Sequence, residues 1–331
     1  MKAAWYERNG PAREVIRIGT LTEPNPQPGE VRVRIAASGC NPSDVKRRMG
    51  QRGQVIDASR IVPHSDGAGV IDAVGAGVDE RRVGERVWLW NAQWRRPYGT
   101  CAELCCVPEA MASPLPDTTA FEAGACLGIP AMTAHRAVFC RGPVRGKTVL
   151  VTGAAGAVGE YAVQMARWGG ARVIATVSTD EKARIAREAG ADDIVNYRDE
   201  PVVDRVHEMT RGAGVDHIIE VDFGANIAAN SKILKPNGTI AAYASSTVPE
   251  PAIPYYPLMM NGVGIDLVFV YILPDAARAQ ALADIATLLG GSVLRHRIGA
   301  RYALAETAAA HEAQESGKVT GNIVIEVQSV R

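Results

Sequence analysis

The run Lys147–Gly159, KTVLVTGAAGAVG, constrains this chain more than any other stretch. An apolar, β-branched segment, Thr148–Thr152, ends in glycines at Gly153, Gly156 and Gly159, and Tyr161–Gly169 continues with helical periodicity. A strand that turns directly into a helix needs residues without Cβ, so that backbone N–H groups can approach a pyrophosphate; the helix N-terminus adds a favourable dipole. Three glycines alone are a weak signal, but their place in a strand–turn–helix makes this a dinucleotide site. The backbone of Gly153, Ala155, Gly156, Ala157, Val158 and Gly159 is its candidate cradle.

The surrounding pattern agrees with a parallel sheet. Before about residue 120 the chain alternates short strands and turns, with strands expected at Val31–Ala37, Gly69–Val74 and Glu85–Trp90. Afterwards strand and helix alternate: Thr148–Thr152, Arg172–Thr176, Asp193–Asn196, His217–Val221 and Thr239–Ala244 are the expected strands. Leu267–Leu273 has the length of a buried strand, Asp275–Leu289 is an amphipathic helix, and the tail Asn322–Val327 is β-rich. The expected fold is α/β, a Rossmann-type doubly wound parallel-sheet domain at 123–269. A second, β-rich domain is built from 1–122 with 270–331.

Composition excludes several classes. Lys and Arg number 36, as do Asp and Glu, and the pI is near 7.0, so neither nucleic acid nor an anionic membrane is an expected partner. The start, MKAAWYERNG, lacks a secretory apolar core, and no apolar run reaches the roughly 18 residues of a membrane span. Six cysteines without an export signal point to reduced thiols and a cytoplasmic protein.

The residue after the second strand of the nucleotide unit separates NAD from NADP, because a carboxylate there binds the ribose hydroxyls and repels a 2′-phosphate. Here Val177 and Ser178 stand at that place, and Lys182 follows one turn into the next helix. Ser178 and Lys182 suit a phosphate, and Asp180 is expected as the N-cap of that helix. The expected cofactor is NADPH.

Taken together, PGEVRVRIAASGCNPSD (28–44), DGAGVIDAVGAGV (66–78), VGERV (83–87), GIPAMTAHRAV (128–138), VTGAAGAVG, Asn196-Tyr197-Arg198 and AHEAQESGKVTGNIV resemble the zinc-free, zeta-crystallin-like quinone oxidoreductases of the medium-chain dehydrogenase/reductase superfamily. The likeness spans essentially the whole chain. It implies a GroES-like catalytic domain beside the Rossmann domain, the cofactor between them, and a homodimer built by pairing edge strands. It also implies Ser178, Lys182 and Tyr197 around the 2′-phosphate, and Asn41, Asp44 and Thr133 near the nicotinamide. Backbone at Ala244–Ser246 (with Ser245) and Phe269–Tyr271 flanks the ring, and Lys318 reaches the phosphates or is merely solvated.

Zinc-dependent relatives carry Cys and His where this chain has Asn41 and Ser65; Cys40 and His64 stand one place early and point away from that site. Cys101, Cys105 and Cys106 lack the spacing of a structural zinc lobe, so no metal is expected. Without metal or triad, the chemistry asked of the protein is positioning, exclusion of water and carbonyl polarisation. A quinone suits this well, an α,β-unsaturated ketone or aldehyde also, and a plain alcohol less. A non-catalytic, crystallin-like nucleotide-binding protein is the reading from another class. Relatives carry tyrosines where Lys46 and Arg52 stand here. These cations either meet substrate or lie on a solvated loop with Arg47 and Arg48. Trp88 and Trp90 share a strand face and belong to the core, whereas Trp94 in the next loop is a candidate pocket wall.

Overall fold

β-Branched runs that alternate with helices can bury both faces only inside a parallel sheet, and that is where they lie. The computed structural model describes residues 1–51 and 59–330, and the chain divides into two units, Pro130–Ala281 and Met1–Ile129 with Leu282–Arg331. The boundaries between the units fall at 129/130 and 281/282, the second inside the helix Asp275–Gly290.

In the contiguous unit six parallel strands, β1 (Thr148–Val151), β2 (Arg172–Val177), β3 (Asp193–Asn196), β4 (Val215–Glu220), β5 (Leu234–Ala242) and β6 (Gly264–Leu267), lie in the order 3-2-1-4-5-6. This is the doubly wound order, with its switch point between β1 and β4. Val149, Leu150, Val151, Ile174, Ile218 and Ile240 are fully buried in its middle. The expected buried strand Leu267–Leu273 is not formed. The ladder stops at β6, Val270–Ile272 is a 3₁₀ turn, and Leu267 and Ile272 are 78% and 60% exposed. Edge position explains this: among the described residues β6 pairs only with β5, so no strand covers its outer side.

In the discontinuous unit, Glu30–Cys40 is the central strand. It pairs with Asp66–Val74 on one side and, on the other, with Leu104–Pro108 along its first half and Asn322–Glu326 along its last residues. Ile298–Ala303, Arg86–Leu89 and Ala112–Pro114 extend this sheet. Trp88 and Trp90 are core residues, 2% and 5% exposed. Segment Leu127–Ala131 is a π-type turn around Pro130 that runs into the helix Met132–Phe139.

Candidate active site

At the carboxyl end of β1 the chain leaves the sheet at Gly153, whose φ of +62° favours a residue without Cβ. Gly156 then caps the helix Ala157–Trp168. A Cβ on Gly159 would stand 2.3 Å from the Gly153 carbonyl oxygen, so this glycine lets the helix close onto the turn. The first-turn N–H groups of Ala157, Val158 and Gly159 have no carbonyl one turn back, and the positive end of the helix dipole lies with them. Behind the turn, buried Glu220 at the end of β4 accepts from Thr152 Oγ1 (3.0 Å), Asn226 Nδ2 (2.9 Å) and Asn230 Nδ2 (2.7 Å). No sequence pattern had marked Glu220; the only signal was a lone acid closing an apolar strand.

The next two strand ends meet beside this turn. Parallel pairing sets Asn196 opposite Val177, and Tyr197 N donates to Val177 O at 3.0 Å, so Tyr197 lies next to Ser178. Lys182 Nζ donates to Ser178 Oγ at 3.2 Å. Ser178, Lys182 and Tyr197 are therefore brought together, with no carboxylate at Val177–Ser178. One expectation is corrected: the cap of the helix Asp180–Ala189 is Thr179, whose hydroxyl accepts from Lys182 N at 3.3 Å, not Asp180. Asp180 is the first helical residue, where a carboxylate still favours the dipole.

Further along this edge Ser245 Oγ accepts from Gly224 N (3.0 Å) and donates to Val248 O (2.5 Å). The Ser245 hydroxyl thus serves the loop. The rings of Phe269 and Tyr271 lie 5.2 Å apart around the 3₁₀ turn after β6. Thr133 is buried in the first turn of its helix. A separate cavity of about 360 Å³ opens at the opposite, amino-terminal edge of the sheet, beside Arg141, Lys147, His217 and Thr239. It contains none of the residues singled out above.

In the discontinuous unit, the strand Glu30–Cys40 delivers Asn41 as cap of the helix Pro42–Arg48. Asn41 and Asp44 form a capping box, with Asn41 N donating to Asp44 Oδ2 at 2.7 Å. The Asn41 carboxamide Nδ2 donates to Asp66 Oδ2 at 2.8 Å. Asn41, Asp44 and Asp66 are 5%, 4% and 0% exposed. Burial pushes the Asp44 carboxyl up to about 7 against the pull of its N–H donors, and burial likewise raises Asp66.

The chain matches the zinc-binding dehydrogenase family over residues 157–286 and the alcohol dehydrogenase GroES-like domain over residues 27–117. A quinone oxidoreductase of Pseudomonas aeruginosa is 31% identical over 319 residues, covering 94% of this chain and 95% of that one. The chain belongs to the quinone oxidoreductase family. Among solved structures, a mycobacterial protein complexed with NADPH superposes with a TM-score of 0.86 at 29% identity, covering 99% of this chain and 100% of that one. An NAD-dependent alcohol dehydrogenase superposes with 0.89 at 28% identity, over 99% of this chain and 100% of that one.

Zinc appears in one of these family names, and this quinone oxidoreductase family member has one trio of close metal donors among the described residues. Cys40, His64 and His311 bring their ligand atoms within 4.8 Å of one another. His311, far along the chain, was not foreseen as a neighbour of the other two. Arg48 Nε can only donate, and it donates to His311 Nδ1 at 3.3 Å. Neutral His311 therefore carries its proton on Nε2, which donates to His64 Nε2 at 3.0 Å; His64 Nδ1 then donates to Ser38 Oγ at 2.8 Å. Ser38 passes the chain to Thr100 Oγ1 at 2.7 Å, and Thr100 donates to the Asp66 carbonyl. Burial holds both imidazoles neutral, His64 being lowered to about 3. To give Nε2 to a metal, His311 would have to turn an N–H against the Arg48 N–H. The trio fits a polarised hydrogen-bond chain and does not fit a metal site.

Arg48 itself corrects the solvated-loop alternative. It ends a helix and is fully buried, bonded to the Gly10 carbonyl, His311 and Glu315. Lys46, half-buried, lies on the same helix, and Arg52 lies outside the described residues. Trp94 is half-buried in a turn with the Arg95 guanidinium 5.4 Å over its ring. Lys318 is exposed just after Gly317, which ends the helix Thr307–Ser316.

Proposed function

We propose that this chain is an NADPH-dependent oxidoreductase that delivers hydride to a quinone without a metal ion. The grouping of Ser178, Lys182 and Tyr197 at the ends of β2 and β3, with no acid at the ribose position, carries the cofactor assignment. The glycine turn fits a pyrophosphate: its first-turn N–H groups are open, and Gly159 packs where no side chain fits. When bound, NADPH supplies the hydride; everything else falls to the protein. The N–H groups of Ala157–Gly159 hold the pyrophosphate, Lys182 and Ser178 neutralise and orient the 2′-phosphate, and Asn41, Asp44 and Thr133 shape the nicotinamide end. Lys318 and the backbone at Ser245 and Phe269–Tyr271 are further proposed cofactor contacts.

A quinone needs no Lewis acid, because its two-electron product spreads negative charge and takes protons from solvent. Lys46, Arg52 and Trp94 are the proposed substrate contacts. NADPH oxidation with 1,2-naphthoquinone, 9,10-phenanthrenequinone, an α,β-unsaturated ketone and a plain alcohol, repeated with NADH, tests the assignment. Turnover of quinones with NADPH is expected. Faster enone than quinone turnover would move the substrate class, and NADH preference would overturn the reading of Lys182. Nucleotide binding with no turnover of any acceptor would favour a non-catalytic, crystallin-like role.

A further inference from the structure

Asp66 is fully buried, yet both of its hydrogen bonds fall on one oxygen. Oδ2 accepts from Asn41 Nδ2 at 2.8 Å and from the backbone N–H of Ile129 at 2.9 Å. Oδ1 has no partner among the described residues. It rests against Gly128, where a Cβ would stand only 2.2 Å from it. An ionised oxygen buried without a donor is costly, so this geometry belongs to the acid form, with the proton on Oδ1 and Oδ2 acting as the carbonyl. Burial raises the carboxyl in the same direction, and neighbouring Asp44 adds to it.

One neutral group thus ties together two stretches distant in sequence. The first is the cap Asn41, which the functional reading sets beside the nicotinamide. The second is the π-type turn Leu127–Ala131, whose chain continues into Thr133. Such turns recur where a helix is bent for function. Asn41 is held at both ends: its backbone N–H donates to Asp44 Oδ2 in the helix cap, and its carboxamide donates to Asp66.

We propose that Asp66 is a positioning residue: it locks the Asn41 carboxamide to the Ile129 backbone and so fixes the orientation in which Asn41 meets the nicotinamide and acceptor. Asp66 touches neither and works as an uncharged double acceptor. The proposal rests on the reading of Asn41 as a residue of the reaction site.

The test compares Asp66→Ala, Asp66→Asn and Gly128→Ala with wild type, measuring kcat with a quinone and NADPH affinity by nucleotide fluorescence. Asp66→Ala is expected to lose roughly 10²-fold in kcat, the scale of a misplaced contact, with NADPH affinity retained. Asp66→Asn keeps a carbonyl acceptor and should recover most of that loss with an unchanged pH profile. Gly128→Ala displaces the carboxyl without removing it and should resemble Asp66→Ala; it also stands in if Asp66→Ala does not fold. An Asp66→Asn variant as impaired as Asp66→Ala would overturn the proposal, since charge or a proton would then be the working property. So would a loss of NADPH affinity matching the loss of kcat.

If wild type reduces neither quinones nor enones, the functional reading fails by itself. The lock is then judged from melting temperatures of Asp66→Ala, Asn41→Ala and the double variant. Non-additive losses support it, and simple additivity rejects it.

Discussion

Lys182 reaches Ser178 across 3.2 Å, an arrangement that a 2′-phosphate would complete and a bare ribose would not. Lys182→Glu should raise the KM for NADPH by about tenfold to a hundredfold, as expected for losing a charged hydrogen bond worth ~1.5–3 kcal/mol, and leave that for NADH nearly unchanged. Steady-state kinetics with both nucleotides decides it. Asp44 gives a pH signature. Burial lifts its folded carboxyl to about 7, while an unfolded Asp titrates near ~3.9. Across that window the folded state holds a proton the unfolded chain has lost, so this carboxyl's contribution to stability is full below about pH 4 and disappears as pH rises through about 7. Asp44→Asn should therefore gain in melting temperature relative to wild type between pH 4 and 8. His64, held near 3, acts with the opposite sign but cancels in that difference. A constant gap would mean Asp44 is ionised throughout.

The glycine turn was legible in the sequence because it is a local requirement: spacing and the absence of Cβ can be read without knowing any partner. Gly159 shows the cost of violating it. Gly159→Ala brings a methyl within 2.3 Å of a backbone oxygen, and a loss of ~1–3 kcal/mol in stability is expected, with weaker nucleotide binding. Denaturant unfolding and NADPH titration measure both. That Ser178 and Lys182 stand one helical turn apart at the end of β2 was also legible, for the same local reason. Asp66, Glu220 and His311 were not. Each has a partner 25 to 263 positions away in the chain, Asp66 with Asn41 and Ile129, Glu220 with Thr152 and His311 with Arg48, and a single acid in an apolar strand carries no spacing to recognise. The segment after β6 misled for a related reason. Apolar residues promise burial only when something covers them, and an edge strand leaves Leu267 and Ile272 uncovered.

For the molecule as a whole, that edge carries a prediction. Tyr255, Tyr256, Met260 and Leu267 are at least 60% exposed on the unit that ends in β6. With the edge of β6, unpaired among the described residues, they are the surface on which the homodimer implied by the resemblance would form. Sedimentation should show a dimer, and Leu267→Asp should shift it to monomer; a monomeric wild type would remove that proposal. No helix among the described residues is long and apolar enough to cross a membrane.

The central strand Glu30–Cys40 waits for Asn322–Glu326, made almost three hundred residues later, before its sheet is whole. The parallel-sheet unit needs no such delay, because all of its strands lie in one continuous stretch. On the ribosome the nucleotide-binding portion can therefore mature first, while the opening segment is held open until synthesis ends. Long-range pairing of this kind is slow. Nascent chains stalled at residue 290 should bind a nucleotide resin while their first 120 residues remain sensitive to protease.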